Sequence, residues 1–415
     1  MQTIILLIIF FLPSNLFFKI NLNSAIINGN LVDYLLPKIY LTDLLILILF
    51  FLSYRKKLLI INKKRLIKFV ISNLVIISLI IGLISYQFLT NKPIAAMWYL
   101  LKIIEIIFLF NILKGTKISK KSIFKTINLS LLFQSILGIY QFYFQKSLLP
   151  YYFLGESQLK ANLAISMGRF FGIKYILPYG TTAHSNILAG VLSIYWLLLF
   201  RKALIKKTNK YFLITTVICF YCLLLTQSLS AYLTIVIGIT IILFNHAANK
   251  KRPSKTLKNI RQLLIKIQTF TWKKSFFLFI FSIILIPITI LFMAKAKPNI
   301  LSFTRRQKLN HAALIITGRY PLFGVGLNNF TARVGEYYQD ILTSSFIQPV
   351  HHLGLLILAE TGFIGLTTLI IILKKHWNPR LAKILFIYLP IITLDHYLLT
   401  NQVGLLLLTT SLVLF

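Results

Sequence analysis

Long apolar runs separated by short basic stretches dominate this chain, and their lengths predict membrane helices rather than a soluble core. The candidate spans are Thr3–Phe18, Ile39–Tyr54, Phe69–Leu89, Ile94–Leu113, Phe124–Phe144, Asn186–Phe200, Tyr211–Leu225, Leu229–Phe244, Phe276–Ala294, Leu353–Leu373, Leu381–Leu394 and Tyr397–Phe415. Several fall short of the roughly 17 residues at the lower end for a spanning helix. The pattern therefore predicts an all-α integral membrane protein, a polytopic bundle of about 12 transmembrane helices with one large outer loop. Residues 1–294 would hold spans one to nine, 295–352 the large extracytoplasmic loop with substrate-binding residues, and 353–415 the last three spans.

Composition agrees with this pattern. Hydrophobic residues make up 57% of the 415, charged residues 13%, and mean hydropathy is +0.80, more apolar surface than soluble domains can hide. Forty-five Lys and Arg against eight Asp and Glu give a formal charge of +37. Such a charge would also suit a nucleic-acid binder, but the positives lie between the apolar runs and no stacking pattern or RNA module accompanies them, so nucleic acid is not expected.

Their distribution sets orientation instead. With a cytoplasmic amino terminus, every second loop is basic: Arg55–Lys68, Lys114–Lys125, Arg201–Lys210, Lys250–Lys274 and Lys374–Lys383 hold 30 of the 45 positives. The Asn245–Lys274 loop, with Leu and Ile among its cations, suits an amphipathic helix on anionic lipid. The first run has no preceding Lys or Arg and no small-x-small cleavage site after it, so it reads as a retained span and not a signal peptide. Cys219 and Cys222 exclude a disulfide scaffold, and their C-x-x-C spacing inside an apolar helix reads as packing.

Candidate chemistry concentrates on the side this orientation places outside. His351 and His352 stand at the mouth of the Leu353–Leu373 span, which carries Glu360 within it. Histidine handles protons near neutral pH, and a carboxylate at membrane depth is costly and usually functional. The segment from Lys295 to Val350 has an excess of positives, Arg305, Arg306 and Arg319 among them, against the rule that outer loops are poor in Lys and Arg. An anionic ligand explains the exception. Lys102 and Glu105, three apart in the fourth span, form an ion pair or line a path for a lipid-linked phosphate. Ser185 and Asn186 are ordinary helix starters. Asp395, His396 and Tyr397 stand at the outer mouth of the last two spans, where a helix cap is the default role. Asn21–Lys38 is a polar outer loop to which the residues assign no role.

Three ordered stretches resemble the signatures of the O-antigen ligase and O-antigen polymerase family. His351, followed nine residues later by Glu360-Thr-Gly362-Phe-Ile-Gly365, is similar to the family's helix that opens on His-Asn and carries Glu-x-Gly-x-x-Gly, with His352 in place of Asn. Gly180-Thr181-Thr182-Ala183-His184-Ser185-Asn186-Ile-Leu-Ala-Gly190 resembles Gly-Thr followed by His-Pro-Asn-x-Leu-Ala-Gly, with Leu177 at an expected arginine and Ser185 at the proline. Arg306 to Ala313, then Pro321-Leu-Phe-Gly324-Val-Gly326, resembles an arginine followed by an alanine-rich helix ending in Pro-x-x-Gly-x-Gly.

The resemblance implies a metal-independent glycosyltransferase of the lipid-dependent C type, without cofactor, in the cytoplasmic (inner) membrane, its active site facing the periplasm or cell exterior. The implied donor is a glycan on undecaprenyl pyrophosphate, and the acceptor hydroxyl belongs to a saccharide, lipid or protein. His351 would be catalytic. Arg306, Arg319, Arg305, Lys102, His184, Asn186, Glu360 and His352 would bind substrate. No D-x-D sequence occurs, which argues against a metal-chelated nucleotide-sugar donor. A transporter or flippase of a lipid-linked or anionic solute would use the same positives as a binding path and is the alternative from another class.

Overall fold

A computed structural model describes residues 1–55, 74–116, 118–159, 165–205, 210–248, 301–337 and 347–415. The expected span Phe276–Ala294, the first residues of Phe69–Leu89, most of the basic loop Arg55–Lys68 and the loop Lys250–Lys274 lie outside them. The described chain is mostly helical. Its helices are α1 (Gln2–Phe11), α2 (Leu41–Arg55), α3 (Leu74–Tyr86), α4 (Pro93–Gly115), α5 (Lys120–Phe144), α6 (Tyr151–Leu154), α7 (Ser185–Ile205) and α8 (Lys210–Thr226). There follow α9 (Leu229–Ala248), α10 (Leu301–Arg319), α11 (Phe330–Arg333), α12 (Leu353–Lys375), α13 (Pro379–Leu394), α14 (Tyr397–Thr400) and α15 (Gln402–Leu414).

Among the described residues, α4, α5, α7, α9 and α12 contain stretches long and apolar enough to cross a bilayer, and four further apolar helices are shorter. The expected first span stops early. Helix α1 ends at Phe11, and Phe17–Lys19 then pairs antiparallel with Lys38–Tyr40. The last run also divides, into α14 and α15 around Asn401, whose backbone is extended.

Local sequence explains several boundaries. Pro93 opens α4, where its missing N–H costs nothing. Asn378 caps α13, its Oδ1 accepting the N–H groups of Arg380 and Leu381 at 3.0 Å each. Gln145 closes α5 in the left-handed region.

The chain forms two compact units. The first comprises Met1–Ile118, Met293–Lys375 and Asp395–Thr409, the second Ser119–Phe292, His376–Leu394 and Thr410–Phe415. In the first, α1 packs on α2, α2 on α4, and α12 on both α3 and α10. The Asn21–Lys38 loop folds into a small hairpin whose Ala25, Val32, Leu35 and Leu36 pack with Ala95, Ala332 and Ile347. In the second, α7 is buried along most of its length and packs against α5, α8 and α9, while α13 packs on α9. Cys219 and Cys222 are fully buried there.

Candidate functional site

The Gly-x-Gly stretch and the glycine-bearing helix fit together in the first unit. Helix α12 was expected to run unbroken, but Gly362 has φ 62° and ψ −167°, which breaks the helical path. Backbone groups freed by such a break need partners inside a membrane protein, and the 321–326 loop supplies them. Phe363 and Ile364 donate to the carbonyls of Pro321 and Leu322 at 2.8 and 3.1 Å. In return Val325 and Gly326 donate to Ala359 and Glu360 at 2.9 Å each. A Cβ on Gly362 would stand 2.2 Å from the Leu322 carbonyl oxygen, and one on Gly324 2.4 Å from the Glu360 carbonyl carbon. Both glycines have positive φ, so both the conformation and the close approach exclude other residues.

Glu360 completes this joint. Its two carboxylate oxygens accept the backbone N–H groups of Asn328 at 2.9 Å and Phe330 at 3.2 Å. Asn328 in turn donates its side-chain amide to the Tyr34 carbonyl at 2.8 Å, and Asn329 accepts the Lys92 N–H at 2.8 Å. The intramembrane carboxylate expected at the substrate thus spends both oxygens holding the loop that follows Gly326.

His351 lies just before α12 and is partly buried. Its Nδ1 stands 3.9 Å from Asp395, beyond hydrogen-bond length but close enough for strong charge attraction, and its ring meets that of His396 edge-on at 4.8 Å. Burial, the largest influence, holds the imidazole below its ordinary 6.5; Asp395 pulls it upward, and the charges of Arg306 and Arg305 add to the lowering. A neutral imidazole at working pH is the form that accepts a proton. Arg305 is held below its usual range by burial. The Nε of Arg306 is buried with no acceptor among the described residues. Tyr34 stacks edge-on with His396 at 5.7 Å, and burial, followed by the charge of Asp33, raises its phenol to about 12.

The adjacent histidines divide their work. His352 Nδ1 accepts the Leu355 N–H at 3.1 Å, and its carbonyl accepts from Leu356, so it caps α12 as an Asn would.

Arg306 and Arg319, expected to grip one pyrophosphate together, both belong to α10. Thirteen residues along α10 separate them by about 20 Å of rise. The Arg319 guanidinium lies instead over the Tyr337 ring, 4.9 Å from its centre. Arg305 is the second arginine, with Arg306, whose charge acts on His351.

Lys102 takes the ion pair its spacing allowed, 3.3 Å from Glu105, and adds a second with Asp43. Gln402 donates to Asp43 at 2.6 Å, closing a buried cluster contributed by α2, α4 and α15. Its cation already faces two carboxylates.

His184 and Asn186 belong to the second unit. His184 is exposed, accepts the Asn186 N–H on Nδ1 at 3.1 Å and contacts Ser166 Oγ through Nε2 at 2.5 Å. The preceding loop is clamped from α5: Gln141 Oε1 accepts the N–H groups of Tyr179 and Gly180, and Gln134 does the same for Thr181. Leu177, at the expected arginine, is buried. Arg169 and Lys174 are cross-strand partners in the exposed hairpin Met167–Ile176.

Asp395 is the group sequence reasoning undervalued. Its Asp-His-Tyr setting marked it, but only folding brings it to His351. Tyr34 and Asp43 carried no local signal.

No curated protein matches the chain. The apolar helices make this a multi-pass membrane protein, and the O-antigen ligases that its signatures resemble transfer glycan in polysaccharide assembly. Residues 214–370, which contain α10, the Gly-x-Gly loop, His351 and most of the broken helix, match the family model described as O-antigen ligase.

Proposed function

We propose that the protein transfers a glycan from undecaprenyl pyrophosphate to an acceptor hydroxyl at the outer face of the cytoplasmic membrane, with His351 as general base. The acceptor oxygen attacks the anomeric carbon and gives its proton to His351. The bond from that carbon to the pyrophosphate oxygen breaks, and its electron pair leaves with the lipid carrier. Asp395 stabilises the imidazolium that forms. Arg306, with Arg305, binds the pyrophosphate and offsets the charge that grows on the leaving oxygen. The sugar–pyrophosphate bond is already activated, so the step needs neither nucleotide nor metal.

One observation carries this reading: a histidine whose pKa burial lowers stands 3.9 Å from an aspartate and feels the charges of two arginines, one of which has a buried N–H without an acceptor among the described residues. Glu360, His352, the signature glycines and Lys102 serve it as positioning groups. His184 and Asn186 are proposed to bind substrate, on the resemblance of their stretch to the family signature. The test is transfer by reconstituted protein supplied with an undecaprenyl-pyrophosphate glycan. His351→Ala should abolish transfer while the protein still inserts and elutes as wild type. Surviving transfer in that variant would refute the assignment.

A further inference from the structure

The second unit contains a cavity that the proposed transfer does not use. It has a volume of about 400 Å³ and lies where α7 and α9 end and α13 begins. Arg201, Arg380, Lys383 and His246 line it together with Ile241, Ile242, Leu204 and Ile387. No carboxylate side chain is among the lining residues.

Two of these cations have partial local roles. Arg201 donates to the carbonyls of Leu414 and Phe415, and Arg380 to that of Val413, so both close the end of α15. Counted as a terminal carboxylate, Phe415 offsets one positive charge at most, and Arg380 and Lys383 both add repulsion to Arg201. Arg201, Arg380 and Lys383 against at most one carboxylate leave positive charge uncompensated in a half-buried space, which calls for an anion.

The anion's source follows from position. Helix α7 has 21 residues, so about 30 Å separates its start beside His184 from its end at Ile205, the thickness of a bilayer's hydrocarbon. The cavity sits at the far end, where three of the basic loops, Arg201–Lys210, Asn245–Lys274 and Lys374–Lys383, begin or finish. That end faces the leaflet rich in anionic lipid if the basic loops are cytoplasmic. The apolar flank of Ile241, Ile242, Leu204 and Ile387 suits the first methylenes of an acyl chain.

We propose that this cavity binds the phosphate of an anionic phospholipid of the inner leaflet, with Lys383 as its principal cation among the described residues and the apolar flank taking the proximal acyl chain. The experiment uses the full chain in phosphatidylcholine nanodiscs with or without phosphatidylglycerol, reading retained lipid by native mass spectrometry and melting temperature in parallel. Phosphatidylglycerol should raise the melting temperature of the wild type and remain bound, and Lys383→Gln should reduce its retention by about tenfold or more, as loss of one charge-assisted phosphate contact implies. Lys383→Arg should keep it. Equal retention in wild type and Lys383→Gln, or equal loss in Lys383→Gln and Lys383→Arg, would overturn the proposal. Protection by inorganic phosphate alone, at the phosphate concentration of the lipid, would overturn the lipid assignment in favour of a soluble anion. Glycan transfer by His351→Ala tests the other site, so the two readings fail separately.

Discussion

Asp395→Asn tests the proposed proton transfer most directly, because it keeps the size of a side chain that is 3% exposed while removing the charge facing His351. At the observed 3.9 Å, a unit charge pair is worth about 1 kcal/mol in bulk water and about 4 kcal/mol at the effective dielectric of about 20 found near protein surfaces. If that attraction acts on the imidazolium formed in the transition state, its loss slows transfer between about 5-fold and about 10³-fold. The sign of the pH effect is also fixed. Asp395 raises the His351 pKa, so removing it lowers that pKa further, and the acid limb of the rate profile should move to lower pH. Arg306→Gln removes a charge that lowers the same pKa, so its acid limb should move to higher pH. The assay is initial rate of glycan transfer by reconstituted protein across a pH series, at matched insertion. Wild-type turnover in Asp395→Asn, or acid limbs that move in the same direction in the two variants, would refute the reasoning.

Further outcomes follow from the same geometry. Arg306→Gln should also lose about one to two decades in efficiency, the worth of a charge-assisted contact of roughly 1.5–3 kcal/mol, whereas Arg319→Gln should retain transfer and lose only the contact over Tyr337, about 0.5–1 kcal/mol by thermal unfolding. His352→Asn should keep most activity and stability because Asn also caps, while His352→Ala should cost about 0.5–2 kcal/mol without moving the acid limb. Gly362→Ala should prevent the 321–326 loop from seating, with at least about 1–3 kcal/mol of backbone strain, read as lost transfer and protease sensitivity. A cysteine replacing exposed Lys174 should react with an impermeant thiol reagent in intact cells and one replacing exposed His376 should not; the reverse labelling would invert the topology.

The sequence alone determined the class of the protein. Run length, composition and alternating basic loops are local quantities, and they suffice for helices such as α4, α5 and α7, whose bounds lie within a few residues of those expected. They failed where tertiary contact overrules hydropathy: α1 ends at Phe11 because Phe17–Lys19 finds a strand partner 20 residues on, and α12 breaks at Gly362 because a loop from another segment satisfies its freed backbone groups. The candidate site divides in the same way. His351, Arg306 and the glycines were legible because fixed spacing on one element preserves their signature. That Asp395 faces His351, that Glu360 ties down a loop, and that Arg319 lies over Tyr337 depended on folding. Each is a distance between segments that composition and periodicity do not encode.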